Sequence, residues 1–251
     1  IQAASAMIDL EDLYEKWRPK KRTRADAAKE KDLQPLARFV LDQTHQDLML
    51  EAQKYISSAK KVESTEDAID GAKDIVAEII NGDIEIRTRI RKLFVDTGQI
   101  QTKVKKAKKE EGIKFKDYFE WSEPAFKAPS HRILAMLRGN RESVLSLHVL
   151  PDEAHALMQI ENRYVKNNTK SALEVKSAVK DCYKRLLSKS IEKECIKELK
   201  AMADEAAIGV FTGNLKELLL SAPLGQKRIL AIDPGFRTGC KIVCLDAQGE
   251  L

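Results

Sequence analysis

Long apolar runs are missing from this sequence: no stretch approaches the ~20 residues that cross a bilayer as a helix, and no secretory leader pattern is visible. Glycine and proline are scarce, at 11 and 7 residues in 251, which argues against a turn-dense all-β protein. Cysteine is scarce too. Cys182, Cys195, Cys240 and Cys244 form no C-x-x-C pair, and His45, His131, His148 and His155 do not fall at zinc-ligand spacing beside them. The thiols are therefore expected to be free, in a reducing compartment, the cytoplasm. Neither sign of charge dominates: 44 Lys and Arg stand against 39 Asp and Glu, for a net +5. An excess this small does not by itself mark a nucleic-acid binder, so any binding surface has to come from how the charge is arranged.

What is present is helix grammar. Hydrophobic residues make up 43% and charged residues 33%, and the apolar positions recur at three- and four-residue spacings. Ile1 to Trp17 reads as a helix stopped by Pro19. Thr23 offers an N-cap, with Asp26 three residues on as a capping-box partner. A further apolar pattern follows from Leu33 and Pro35 through Leu41. Ser64-Thr65 opens a helix with Glu66 and Asp67 in its first turn. Asn81-Gly82 closes that helix, and Asp83 caps the next, ended by Gly98. Phe115 to Pro129 is aromatic and proline-bearing, and is expected to be irregular but packed. Ser130 to Leu137 reads as a short helix ending at Arg138-Gly139, and Val144 to Val149 as a short strand. Ser171 to Leu220 carries the strongest helical signal, with breaks expected at Ser188 to Ser190 or at Gly213. After Ala222-Pro223-Leu224-Gly225 the pattern changes to two strands, 228–232 and 241–245, joined by Asp233-Pro234-Gly235 and followed by a turn at Asp246-Ala247-Gln248-Gly249. The expected fold is mainly α, with a short strand near 144–149 and a C-terminal β-hairpin. The chain starts at Ile1-Gln2-Ala3-Ala4 without an initiator Met and stops at Leu251 in mid-fold, so it is expected to be a piece of a longer protein.

Two basic clusters are candidate phosphate contacts: Arg18, Lys20, Lys21, Arg22 and Arg24 in one short connection, and Lys103, Lys105 and Lys106 at the head of a run to Lys109. Contacts of this kind add affinity without sequence preference, and neither cluster interleaves the aromatics that stack bases. Trp17, beside the first cluster, reads as a core anchor. His131-Arg132 has no nucleophile or paired carboxylate at motif spacing, so His131 is expected to be buried between helices.

Five blocks stand out: Arg18-Pro19-Lys20-Lys21-Arg22-Thr23-Arg24-Ala25 continuing to Pro35-Leu36-Ala37; Gly71 to Glu78 with Arg87 and Arg91; Asp117-Tyr118-Phe119 with Glu123, Ser130 to Ala135 and Arg138-Gly139; Ala206 to Gly225; and Asp233 to Lys241. Together they resemble the Tex family of transcription accessory proteins, in family order across essentially the whole chain. One departure is Asp32, which stands where the resemblance leads one to expect glycine. The resemblance implies a longer parent with an N-terminal helical region, a YqgF-type ribonuclease-H-like domain, helix-hairpin-helix motifs and an S1 domain. On that basis residues 1–222 would form the central helical region, 223–227 a linker, and 228–251 the first hairpin of an incomplete ribonuclease-H-like α/β domain.

It further implies a non-catalytic scaffold that supports transcription, needs no cofactor or metal and touches no membrane. Nucleic acid, RNA or DNA, would be held mainly through domains outside this chain, and the transcription machinery is the expected protein partner. Two alternatives stay open. One is a metal-dependent nuclease of the Holliday-junction-resolvase class, because Asp233 sits where such enzymes hold a divalent metal. One carboxylate cannot clamp two ions, so Asp233 is expected to be vestigial. The other is a protein-interaction scaffold with no nucleic-acid contact of its own.

Overall fold

The computed structural model describes residues 22–235 and 239–251; the expected helix over 1–17, Trp17, and the cations Arg18, Lys20 and Lys21 lie outside them. The described residues are mainly α, and contacts divide the chain into two compact units, the first ending at Glu205 and the second covering Ala206–Leu251.

In the first unit, local signals set the helix starts. Thr23 caps α1 (Arg24–Glu30) in a complete capping box, its hydroxyl accepting from the Asp26 amide at 3.0 Å while the Asp26 carboxylate accepts from the Thr23 amide at 3.0 Å. After α1 the chain turns through Asp32, whose φ of +59° is left-handed; this is the position where glycine was expected, and Asp tolerates it better than most side chains do. The helix α2 (Gln34–Asp42) carries Pro35 in its first turn, where the missing amide costs nothing. Asp47 caps the short α3 (Leu48–Gln53) and Ser64 caps α4 (Thr65–Asn81), which buries Ala68, Ile69, Ala72, Ile75, Val76, Ala77 and Ile80. This helix is the hub of the core, packed by α1, α2 and α3 and by the later α8 (Lys170–Cys182). Gly71 makes room for the residue that precedes α2: a Cβ there would lie 2.4 Å from Leu33 Cδ1.

Asp83 caps α5 (Ile84–Thr97) and does more than cap. Its carboxylate accepts from the amides of Glu85 and Ile86 at 2.9 and 3.4 Å, from Arg163 Nε at 2.7 Å and from the Tyr164 hydroxyl at 2.8 Å. It thereby ties the start of α5 to the end of α7 (Glu153–Tyr164), a helix capped by Asp152 for which the sequence reading made no assignment.

Three strands, β1 (Gln99–Val104), β2 (Glu120–Pro124) and β3 (Leu145–Leu150), form an antiparallel sheet in the order β2-β1-β3. Only β3 was expected. The segment expected to be irregular, 115–129, contains β2 between short 3-10 turns. One face of the sheet is packed by Ile100, Thr102, Leu145, Leu147 and Val149. Lys103, opposite Ser146, and His148, opposite Gln101, share the other face. The buried Thr102 hydroxyl donates to the Tyr118 carbonyl at 2.6 Å, which satisfies the group burial would otherwise penalise.

The helix α6 (Ser130–Arg141) continues through Gly139 rather than stopping there. Thr169 caps α8, a π-turn follows over Tyr183–Leu187, and α9 (Ser188–Leu220) runs on without the breaks expected at Ser188 to Ser190 or at Gly213. The π-turn takes up the change of phase between the two buried faces, so no break is required. Arg87 and Arg91, both part of the resemblance, grip Glu194 of α9: Arg87 Nη2 donates to Glu194 Oε1 at 2.7 Å and Arg91 Nε to Oε2 at 3.0 Å.

In the second unit, β4 (Ile229–Gly235) pairs antiparallel with β5 (Gly239–Leu245), with Asp233 opposite Lys241. Asp246 accepts from the amides of Gln248 and Glu250, both at 2.9 Å, closing the following turn. Leu230, Ile232 and Ile242 are exposed.

Candidate nucleic-acid interface

The segment from Lys103 to Lys116 holds seven lysines against Glu110 and Glu111. It begins on β1 and forms the loop to β2, closed at its base by the Val104 amide donating to the Phe119 carbonyl at 2.8 Å. A small core of Phe115, Val144 and Leu145 anchors it, with Val104, Tyr118 and Phe119 packed around. The Lys105 amide donates to the Val144 carbonyl at 2.9 Å. Two glycines allow the anchor. A Cβ on Gly112 would lie 2.3 Å from Val144 Cγ1, and one on Gly139 would lie 2.6 Å from Leu145 Cδ1. The loop is thus a preorganised cationic feature.

Its charges fall into two groups. Lys108 pairs with Glu111 at 2.6 Å, and Lys114 with Glu142 at 2.6 Å while lying 5.0 Å over the Phe115 ring. Lys114 and Arg138 together hold the Glu142 carboxyl below the usual carboxylate range. For Lys103, Lys105, Lys106, Lys109 and Lys116, no carboxylate among the described residues lies within ion-pair distance. Lys116 was not counted with the others at the sequence level; Gly112 is the signal that the chain folds back and carries it into the same loop.

The described part of the first basic cluster, Arg22 and Arg24, is exposed but faces carboxylates. Arg22 pairs with Glu30. Arg24 lines a cleft of about 330 Å³ with Asp70, Lys73, Asp74, Ser177 and Asp181. Burial there pushes the Asp74 carboxyl up, against the opposing pull of Arg185 and Arg24. Lys73 bridges to Asp70 at 2.8 Å and Glu174 at 3.2 Å, leaving the cleft close to charge-balanced.

His131 is exposed, not buried between helices: it lies in the first turn of α6 on the side away from Ile133 and Met136. Its neighbour Arg132 is the engaged residue, bonded to Glu123 Oε2 at 2.9 Å and lying 5.5 Å over the Trp121 ring. Asp233 is exposed beside Lys241, 3.9 Å away. No group of three or more His, Cys, Asp or Glu side chains suited to a metal occurs among the described residues.

A family model described as Tex central region-like matches residues 43–211. The chain is 39% identical over 254 residues to the uncharacterized protein YdcI of Bacillus subtilis, a match covering all of this chain and 35% of that protein. It is 37% identical over 257 residues to the transcriptional accessory protein Tex of Neisseria gonorrhoeae, covering all of this chain and 34% of the relative. The human S1 RNA-binding domain-containing protein 1 is 25% identical over 246 residues, 92% of this chain and 24% of its own length. The chain therefore spans about a third of the length of the bacterial relatives it matches.

Proposed function

Because the chain belongs to the Tex family, we propose that it serves transcription as a non-catalytic scaffold that contacts nucleic acid through the lysine loop between β1 and β2. The observation that carries this reading is the set of five lysines, Lys103, Lys105, Lys106, Lys109 and Lys116, held on an anchored loop with no carboxylate paired to them among the described residues. Lysines presented this way bind phosphate as point charges and release counterions, giving affinity without base preference. The names of two relatives, a transcriptional accessory protein and an S1 RNA-binding domain-containing protein, agree with it. Four free cysteines agree with a reducing, cytoplasmic setting.

The non-catalytic part of the proposal is supported by the surroundings of Asp233, an exposed carboxylate accompanied by a lysine. Two-metal phosphoryl chemistry needs several carboxylates around each ion. Fluorescence anisotropy with duplex DNA and with single-stranded RNA, across a salt series, tests the binding. With Lys103, Lys105 and Lys106 replaced by Ala, the slope of log K against log salt should become shallower by about one per lysine that contacts phosphate. An unchanged slope removes the loop from the interface.

A second reading, docking of a protein partner, draws on the second unit. Ile208, Val210, Phe211, Leu218 and Leu219 are each more than 60% exposed, beyond what scattered surface apolar residues require. Failure to bind either nucleic acid at low salt would favour it over the scaffold that touches phosphate.

A further inference from the structure

The helix α9 carries lysines and glutamates in near-equal numbers over its first turns, so its charge averages to little. The structure separates them, turning Glu192 and Glu194 onto partners and leaving Glu198 exposed on the opposite flank from the lysines. Glu192 accepts from the Val149 amide at 3.0 Å and from His148 Nδ1 at 2.9 Å, covering the open edge of β3. Glu194 is gripped by Arg87 and Arg91. Ser188, Ile191, Cys195 and Leu199 face the core. Glu192 fixes the rotation of the helix against the sheet. At about 100° per residue, Lys189, Lys193 and Lys197 then fall within an arc of roughly 80° on the outward flank next to it. All three are exposed, and none has a carboxylate within ion-pair distance among the described residues. Lys200 lies on the same arc but pairs with Asp204.

From this segregation we infer that Lys189, Lys193 and Lys197 form a second phosphate-contact row whose occupant is the backbone of a nucleic-acid duplex. Three features argue for it. The row continues the lysine loop, since Lys103 and His148 share the exposed face of the sheet and His148 is bonded to Glu192. Successive lysines sit one turn apart, about 6 Å along the helix axis, close to the advance of two phosphates along one strand of a duplex at about 3.4 Å each. Finally, no aromatic residue occurs between Ser188 and Lys200, and the aromatics of the loop are packed inward, Phe115 buried and Tyr118 and Phe119 half-buried. A surface without stacking platforms suits the continuous phosphate rail of a duplex better than the splayed bases of a single strand.

This inference rests on the reading that the chain touches nucleic acid, but on different residues from the lysine loop. The test uses the full 251-residue chain, fluorescent duplex DNA, and single-stranded RNA of matched length across a salt series. Replacing Lys189, Lys193 and Lys197 together by Ala should make the duplex salt slope shallower by about two to three, with little change on single-stranded RNA. The matching triple Arg variant should keep the slope. The side chains are exposed, so circular dichroism melts of both variants should overlay the parent. An unchanged duplex slope, or a larger loss on the single strand than on the duplex, overturns the row as a duplex contact. A shallower slope here with none on replacing Lys103, Lys105 and Lys106 would instead remove the loop and keep the row.

Discussion

Replacing Gly112 by Ala probes whether the lysine loop is held by packing. The backbone φ of Gly112 is −92°, open to any residue, so space alone is at issue. The added Cβ would lie 2.3 Å from Val144 Cγ1 and 2.9 Å from the Lys108 carbonyl oxygen. Neither neighbour yields easily. Val144 is β-branched with few rotamers open to it, and the Lys108 carbonyl accepts the Gly112 amide at 3.0 Å. Overpacking of this kind costs roughly 1–3 kcal/mol, while the reduced freedom of the unfolded chain returns about 0.4–1 kcal/mol. The net loss is about 0–2.6 kcal/mol, and each kcal/mol lowers the melting temperature by roughly 2–4 °C in a unit of this size. Val144→Ala alone leaves a cavity and costs roughly 1–3 kcal/mol. In the double variant the methyl group added at position 112 enters that space, so the pair should cost at least about 0.5 kcal/mol less than the sum of the singles. Urea melts give the energies. Amide exchange at Lys105, whose N–H bonds the Val144 carbonyl, reports whether the loop has come away. Additive energies with unaltered exchange at Lys105 would refute the account of how the loop is fixed.

The Asp83 carboxyl is held below its usual range: burial opposes the charged form, but the Tyr164 hydroxyl, Arg163 and the Ile86 amide outweigh it. A carboxylate lowered in the folded state adds stability above its ordinary value and loses it as pH falls through the folded one. Asp83→Asn, which retains capping ability, should therefore be less stable at neutral pH and show a flatter melting temperature between pH 6 and strongly acid solution; parallel pH curves would contradict this. At Asp32, left-handed at φ +59°, thermal stability should rank Gly at or above Asp and Asp well above Val, because the ion pair to Lys60 is exposed and worth at most about 1 kcal/mol. A Val variant melting with the parent would count against strain there. Burial pushes the Cys182 and Cys195 thiols up to about 12, whereas Cys240 and Cys244 are exposed. Mass spectrometry after brief alkylation of the native chain should find label on Cys240 and Cys244 only, with the other pair reacting once urea is added.

The features visible in the sequence are those settled within a few residues. Thr23 with Asp26, Ser64 and Asp83 each announce a helix start because a cap and its amides lie within three positions of each other. The left-handed turn at Asp32 is visible only through the family resemblance, which leads one to expect glycine there. The sheet is different, since β1 pairs Gln99 with Pro124 and with Leu150, partners no local pattern ties together. Its Ile100-Thr102 alternation is short and runs into the lysines that crowd its end. The basic loop is visible as composition, but the neutralisation of Lys114 depends on Glu142, which lies just past the end of α6. On α9 the sequence shows a nearly neutral mixture. Only the rotation imposed by Arg87, Arg91 and the β3 edge reveals that Glu192 and Glu194 turn inward while Lys189, Lys193 and Lys197 face outward.

The π-turn over Tyr183–Leu187 stores one residue more than an α-helix would spend on the same rotation. Upstream, Val175, Val179 and Cys182 point to the core; downstream, Ile191, Cys195 and Leu199 do. Deleting a single residue inside the turn would leave an uninterrupted α-helix with both stripes still in phase. Deleting one just after it, with the turn kept, would rotate the residues downstream by about 100°. The downstream apolar stripe would then swing toward water and Glu194 would leave its arginines. The same one-residue loss is thus absorbed at one place and acts as a frameshift in three dimensions a few residues later.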